Sequence, residues 1–106
     1  MISLNKDMPV IPGRPGVSSR RPIHDPSVLT VEEWTFDPGV TFSGHAHAES
    51  QIIYIAKGKM RMRLGNEEVI VDEGCYYYTP AGEVHEILEI VEKTTMIIVG
   101  TPKKKK

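Results

Sequence analysis

The sequence predicts an all-β domain, a sandwich or barrel of short strands. Three observations carry this reading. Runs rich in β-branched and aromatic residues alternate with turn signals at spacings of roughly 8–12 residues. No 11-residue window shows a helical period. Met60-Arg61-Met62-Arg63-Leu64 alternates as a strand with one buried face does.

Residues 1–26 carry Pro9, Pro12, Pro15, Pro22 and Pro26, with Gly13 and Gly16 among them. Proline fixes φ and removes a backbone donor, so this stretch is expected to be neither helix nor central strand. It reads as an extended arm lying over the surface or over a partner subunit. Residues 27–102 read as the barrel. Its first strands are expected at Val28–Phe36, closed by Asp37-Pro38-Gly39, and at Val40–Phe42, closed by Ser43-Gly44. Gln51–Ala56 follows, ended by Lys57-Gly58-Lys59, and then Met60–Leu64, ended by the tight hairpin pair Gly65-Asn66. Glu67–Val71 stops at Asp72-Glu73-Gly74, and Cys75–Thr79 stops at Pro80-Ala81-Gly82. The last strands are Val84–Val91 and Thr94–Gly100, separated by Glu92-Lys93. Lys103–Lys106 is a basic tail; four like charges in a row read as a solvated end.

A chain of 106 residues is the size of one domain. Two-fifths of the residues are apolar and a quarter are charged, an ordinary globular balance. The net charge of −1 gives no global attraction to nucleic acid or to an anionic membrane. No window approaches the roughly 18 apolar residues that cross a bilayer. The N-terminus lacks a basic segment followed by an apolar one, so the expected location is cytoplasmic. Cys75 is the single cysteine, which excludes an internal disulfide and a cysteine-based zinc site.

Three of the four histidines fall in the β region, as His45 with His47, and His85. Side chains at i and i+2 of a strand share a face roughly 6.5–7 Å apart, which lets two imidazoles converge on one ion. Glu49 and Gln51 have the parity of His47, and each offers an oxygen donor. His24, in the proline-rich arm, reads as a surface residue. Cys75 reads as a small buried residue, and Trp34 with Phe36 as core. Tyr76-Tyr77-Tyr78 must divide between two faces. Met60, Met62 and Leu64 make the better inner face of their strand, which leaves Arg61 and Arg63 in solvent; inverted, the arginines would form a carboxylate clamp. Ile52 and Tyr54 have the parity opposite to Gln51 and are expected to point outward. Apolar side chains there suggest a subunit interface, and a homodimer is expected.

The spacing is ordered over a long stretch. Gly39, five residues, His45-Ala46-His47, three residues, Gln51, six residues and Gly58 form one segment. Gly74, five residues, Pro80-Ala81-Gly82, two residues and His85 form a second, after a 15-residue linker. Together, Gly39–Gly58 and Gly74–Glu89 resemble the two motifs of the cupin superfamily. The resemblance implies a jelly-roll barrel, a double-stranded β-helix, in which His85 enters from the opposite sheet. It also implies one divalent metal ion held by His45, His47, Gln51 and His85, since the family spacing favours Gln51 over Glu49. Two positions depart from the motif: Gln51 stands where glutamate is usual, and Glu89 where asparagine is usual. Glutamine coordinates through a neutral carbonyl oxygen, so the ion keeps its full charge and is a stronger Lewis acid. Such donors suit Fe, Mn, Ni, Zn or Cu.

The His-x-His, Gln, His set is similar to that of the pectin-degradation protein family, small cupins that linearise unsaturated uronates. The acidic and aromatic residues which that family places on the last strand are absent; Ile98 and Gly100 stand there. That argues against carrying over the specific activity, whereas the ligand set carries over. A metal with neutral ligands then suggests a metal-dependent isomerase or lyase acting on a small anionic substrate, sugar-derived or a keto-acid. Two other readings remain, an iron-dependent dioxygenase and a non-catalytic small-molecule binding or sensor module. Glu49, Tyr78 and Glu89 are the candidate acid/base groups.

Overall fold

The computed structural model describes residues 2–25 and 27–101; the Lys103–Lys106 run lies outside them. A single 3-10 turn at Asn5–Asp7 precedes eight strands: β1 (Ile11–Pro12), β2 (Val17–Asp25), β3 (Leu29–Phe36), β4 (Phe42–His45), β5 (Gln51–Leu64), β6 (Glu67–Asp72), β7 (Tyr76–Thr79) and β8 (His85–Gly100). All pairings are antiparallel.

Strands β5 and β8 pair along their whole length, from Gln51 opposite Gly100 to Leu64 opposite His85. This long ribbon serves two sheets. Around the Gln51–Gly100 end it is flanked by β7 on one side and by β3, β2 and β1 on the other. Around the Leu64–His85 end it is flanked by β6 and β4. The ribbon folds over between the two ends, so both sheets turn their inner faces onto one core. That core contains Ile53, Ile55, Met60, Met62, Ile90 and Met96, each at most 2 % exposed. Burying such a side chain contributes roughly 1.5–3 kcal/mol.

The fold-over has a local cause. Lys57-Gly58-Lys59 does not reverse the chain, as its turn-like composition suggests, but bends a continuous strand. Gly58 has φ +97°, and a Cβ there would lie 2.3 Å from the Lys93 carbonyl oxygen and 2.6 Å from Thr94 Cα. Only glycine combines that φ with so close a backbone approach. On the partner strand Thr94 is fully buried; its hydroxyl accepts from Lys59 N–H at 3.2 Å and donates to the Glu92 carbonyl at 2.8 Å. The four strands expected over Gln51–Ala56, Met60–Leu64, Val84–Val91 and Thr94–Gly100 are therefore two bent ones.

The proline-rich stretch also differs from expectation. Residues 17–25 are β2, hydrogen-bonded to β3, with Val17 and Ser19 buried. The sheet accommodates Pro22 because the β2–β3 register breaks between Arg20 and Ile23, where a missing donor interrupts nothing. Arg61 and Arg63 do point to solvent, paired with Glu68 and Glu86. No helix among the described residues is long and apolar enough to cross a membrane.

Candidate metal centre

Three strand ends meet at one mouth of the barrel. His45 is the last residue of β4 and pairs in register with His85, the first residue of β8. Gln51 is the first residue of β5. His47 lies past the end of β4 and not on a strand, so strand parity does not aim it. Tertiary hydrogen bonds do. The Gly82 N–H donates to the His47 carbonyl at 2.9 Å, and the Ala81 N–H donates to Ser50 Oγ at 3.1 Å. The Thr101 N–H donates to the Ser50 carbonyl at 3.0 Å. The Pro80–Glu83 turn that supplies two of these donors is closed by Glu83 N–H to the Pro80 carbonyl at 3.1 Å, with Gly82 at φ +85°. A positive φ at the third residue is what a type II turn requires.

The ring centroids of His45 and His85 are 4.3 Å apart, and each is within 4.9 Å of the His47 ring. One ring nitrogen from each histidine lies within 4.8 Å of the other two. His85 is buried and Gln51 is buried beside it, whereas His45 is exposed at the mouth. Nδ1 of His45 lies 2.8 Å from the Ser43 carbonyl, and Nδ1 of His85 lies 3.4 Å from the Glu83 carbonyl. A carbonyl only accepts, so both Nδ1 atoms carry the proton and both Nε2 lone pairs are left for a ligand. Burial, chiefly, and the neighbouring His45 and His47 hold His85 below the usual imidazole pKa, against the opposing pull of the Glu83 carbonyl. Neutral imidazole is the form that binds metal. The set of three imidazoles and a neighbouring amide fits a divalent transition ion.

Glu49 and Gln51 are both at this mouth, in different roles. Gln51 Nε2 donates to Glu49 Oε1 at 3.3 Å, and the same oxygen lies 3.9 Å from His47 Nδ1. Tyr78 and Glu89 are not brought to the site. Tyr78 pairs with Ile52 on the outer face and is 54 % exposed. Glu89 is on the outer side of β8 beside Arg61. The aromatic residue that does turn inward is Tyr77, whose burial pushes its phenol well above the usual range.

Below the histidines lies a cavity of about 190 Å³. Its wall is mostly apolar: Trp34, Phe36, Phe42, Ile53, Tyr77 and Ile98, with Ile87 and Met96. Trp34 and Phe36 are thus cavity wall as well as core. The remaining lining groups are His45, His47, Glu49, Gln51, His85 and Glu32; among the described residues no lysine or arginine lines it. Glu32 is the residue that sequence reasoning passed over, although it shares strand parity with Trp34 and Phe36 on β3. It sits opposite Ile98 in the β3–β8 register. Arg21 Nε approaches it at 3.9 Å from an exposed position.

The sequence profile of the cupin domain matches residues 32–99, more than half of the chain. An uncharacterized protein of Streptomyces coelicolor, SCO3923, is 28% identical over 74 residues, covering 70% of each chain. Among solved structures, KdgF from Halomonas sp. superposes with a TM-score of 0.87 at 21% identity, covering 99% of this chain and 96% of that one. The polyketide cyclase RemF from Streptomyces resistomycificus superposes with a TM-score of 0.80 at 18% identity, covering 97% and 80%.

Proposed function

This chain belongs to the cupin domain family, and from that premise we propose a metal-dependent enzyme that acts on a small keto-acid with an apolar body. The ligands are His45, His47, Gln51 and His85. One observation carries the reading: three histidines close enough to share an ion close one end of a cavity whose other walls, apart from Glu32 and Glu49, are hydrocarbon and aromatic rings. KdgF and RemF share the fold, so the fold does not choose a substrate, whereas the cavity wall restricts it. A polyhydroxylated sugar would find few hydrogen-bond partners there, and each unpaired hydroxyl would be desolvated at a cost. The volume is below the roughly 300 Å³ at which pockets begin to take drug-sized ligands, which limits the substrate to a small molecule.

A divalent ion held by neutral donors would supply Lewis acidity to the substrate carbonyl and would offset its carboxylate. The chain's own groups do the rest. Trp34, Phe36 and Phe42 hold the apolar body and exclude water. Glu49 accepts from Gln51 and faces His47, whereas Glu32, approached only by the exposed Arg21 at 3.9 Å among the described residues, is the cavity carboxylate assigned to take a proton from the carbon beside the carbonyl. This chemistry is of the isomerase or lyase type and needs no oxygen.

Metal analysis of the purified, reconstituted protein and of His47→Ala is the first test. About one equivalent of metal is expected for wild type and a large loss for the variant; folded wild type that binds no metal overturns the proposal. The loaded protein is then incubated anaerobically in deuterated water with 2-oxo acids of increasing apolar size, and α-proton exchange is followed by NMR. Exchange that requires the metal and falls in Glu32→Gln supports the enzyme reading. Oxygen uptake with Fe(II) alone points to a dioxygenase, and binding without exchange to a sensor module.

A further inference from the structure

We propose that Glu49 is a positioning residue that selects the donor atoms of two metal ligands at once, the Gln51 carbonyl and His47 Nε2. This rests on the metal-site reading above. An ionised carboxylate accepts hydrogen bonds and donates none. The Glu49 oxygen 3.3 Å from the Gln51 side chain can therefore only be met by the amide nitrogen. That fixes the amide orientation and turns the Gln51 carbonyl oxygen away from Glu49. Without such a partner the amide has two near-equivalent orientations, one of which presents N–H groups, useless as ligands.

His47 is the second target. His45 and His85 each have Nδ1 directed at a main-chain carbonyl two residues earlier, Ser43 and Glu83. His47 has no such carbonyl among the described residues. The Glu49 oxygen lies 3.9 Å from its Nδ1, beyond direct hydrogen-bond reach, and faces that nitrogen from two residues later. The carboxylate favours the proton on Nδ1 and so leaves Nε2 for the ion. In this arrangement the Glu49 carboxylate would act on the ligands without being one itself. An ion held there would keep neutral donors, while its charge would be partly balanced from the next layer out.

The test uses Co(II) as the probe, with affinity measured by competition against a chromophoric chelator and the melting temperature of the metal-free protein measured in parallel. Glu49→Ala is expected to bind Co(II) about 10–100-fold more weakly than wild type, with metal-free melting unchanged. Glu49→Gln is expected to recover part of the loss, because its amide oxygen still accepts from Gln51. Gln51→Ala is expected to lose at least as much as Glu49→Ala. Affinity of Glu49→Ala within threefold of wild type overturns the inference and leaves the metal site standing. A matching fall in metal-free melting makes the residue merely structural and overturns it too. Normal binding by Gln51→Ala would show that Gln51 is not a ligand and overturn the Gln51 half of the inference. Glu49→Gln as weak as Glu49→Ala overturns the Gln51 half. Wild type that binds no Co(II) overturns the underlying metal site as well.

Discussion

Thr79 lies opposite Gln51 in the β5–β7 register and is 2 % exposed, yet its hydroxyl has no hydrogen-bond partner among the described residues. A buried hydroxyl without a partner opposes folding by its desolvation. Thr79→Val keeps the shape and removes the polar atom, so it is expected to stabilise the metal-free protein by about 1 kcal/mol in urea unfolding. A loss of that size instead would show that the hydroxyl is held. The positions of His45, His47, Gln51 and His85 were legible because motif spacing fixes them on the chain. What the spacing does not carry is which atom of each side chain is presented, since that depends on Ser43, Glu49 and Glu83 in three dimensions. Glu32 was legible in principle, as part of the alternation Glu32, Trp34, Phe36. A charged residue in an aromatic row reads as the solvent face unless the row is known to line a cavity. Tyr78 and Glu89 fail for opposite reasons. Among three adjacent tyrosines only pairing shows that Tyr77 is the inward one. At Glu89 the alternation itself slips, because the β5–β8 register shifts between Arg61 and Met62.

The ribbon of β5 and β8 is the element on which both sheets depend, and Gly58 is its corner. Gly58→Ala places a methyl group against main-chain atoms of Lys93 and Thr94, which cannot rotate away. Together with the strained φ, this is expected to destabilise the fold by on the order of 3 kcal/mol or more. Urea unfolding of the variant checks it, and a change below about 1 kcal/mol would show that the corner relaxes easily. Existence and type of the strands from Leu29 onward were legible from alternation and turn residues, whereas β1 and β2 were not. Continuity was not. A glycine flanked by lysines is equally suited to reversing a chain and to bending it, and the deciding fact is that Glu92, Lys93 and Thr94 bend at the same level on a strand far away in sequence. The same limit applies to β2. Prolines lower strand propensity locally, but Pro22 is tolerated where the ladder is already broken.

At the scale of the molecule, the outer face of the sheet containing β7 remains apolar. Ile52 (52 % exposed), Tyr76 (70 %), Tyr78 (54 %) and Val99 (37 %) are joined by cross-strand pairs and by the Tyr54–Tyr76 ring contact at 4.7 Å. Contiguous apolar surface of this kind suits association, and a second copy of the chain is the expected occupant. Analytical ultracentrifugation is expected to show a dimer at micromolar concentration, and Ile52→Lys to shift it toward monomer. Wild type that sediments only as monomer would overturn this expectation. The fold-over of the β5–β8 ribbon has a further consequence, for the order of assembly. Leu64 and His85 are far closer along the chain than Gln51 and Gly100, so loop closure favours zipping the ribbon from the Leu64 end. His85 is then fixed early, and Gln51, at the other end, late. The donor set is complete only when the last rung has formed and the ribbon has doubled back. On the proposed metal-site reading, the capacity to hold an ion would arise only once folding has finished.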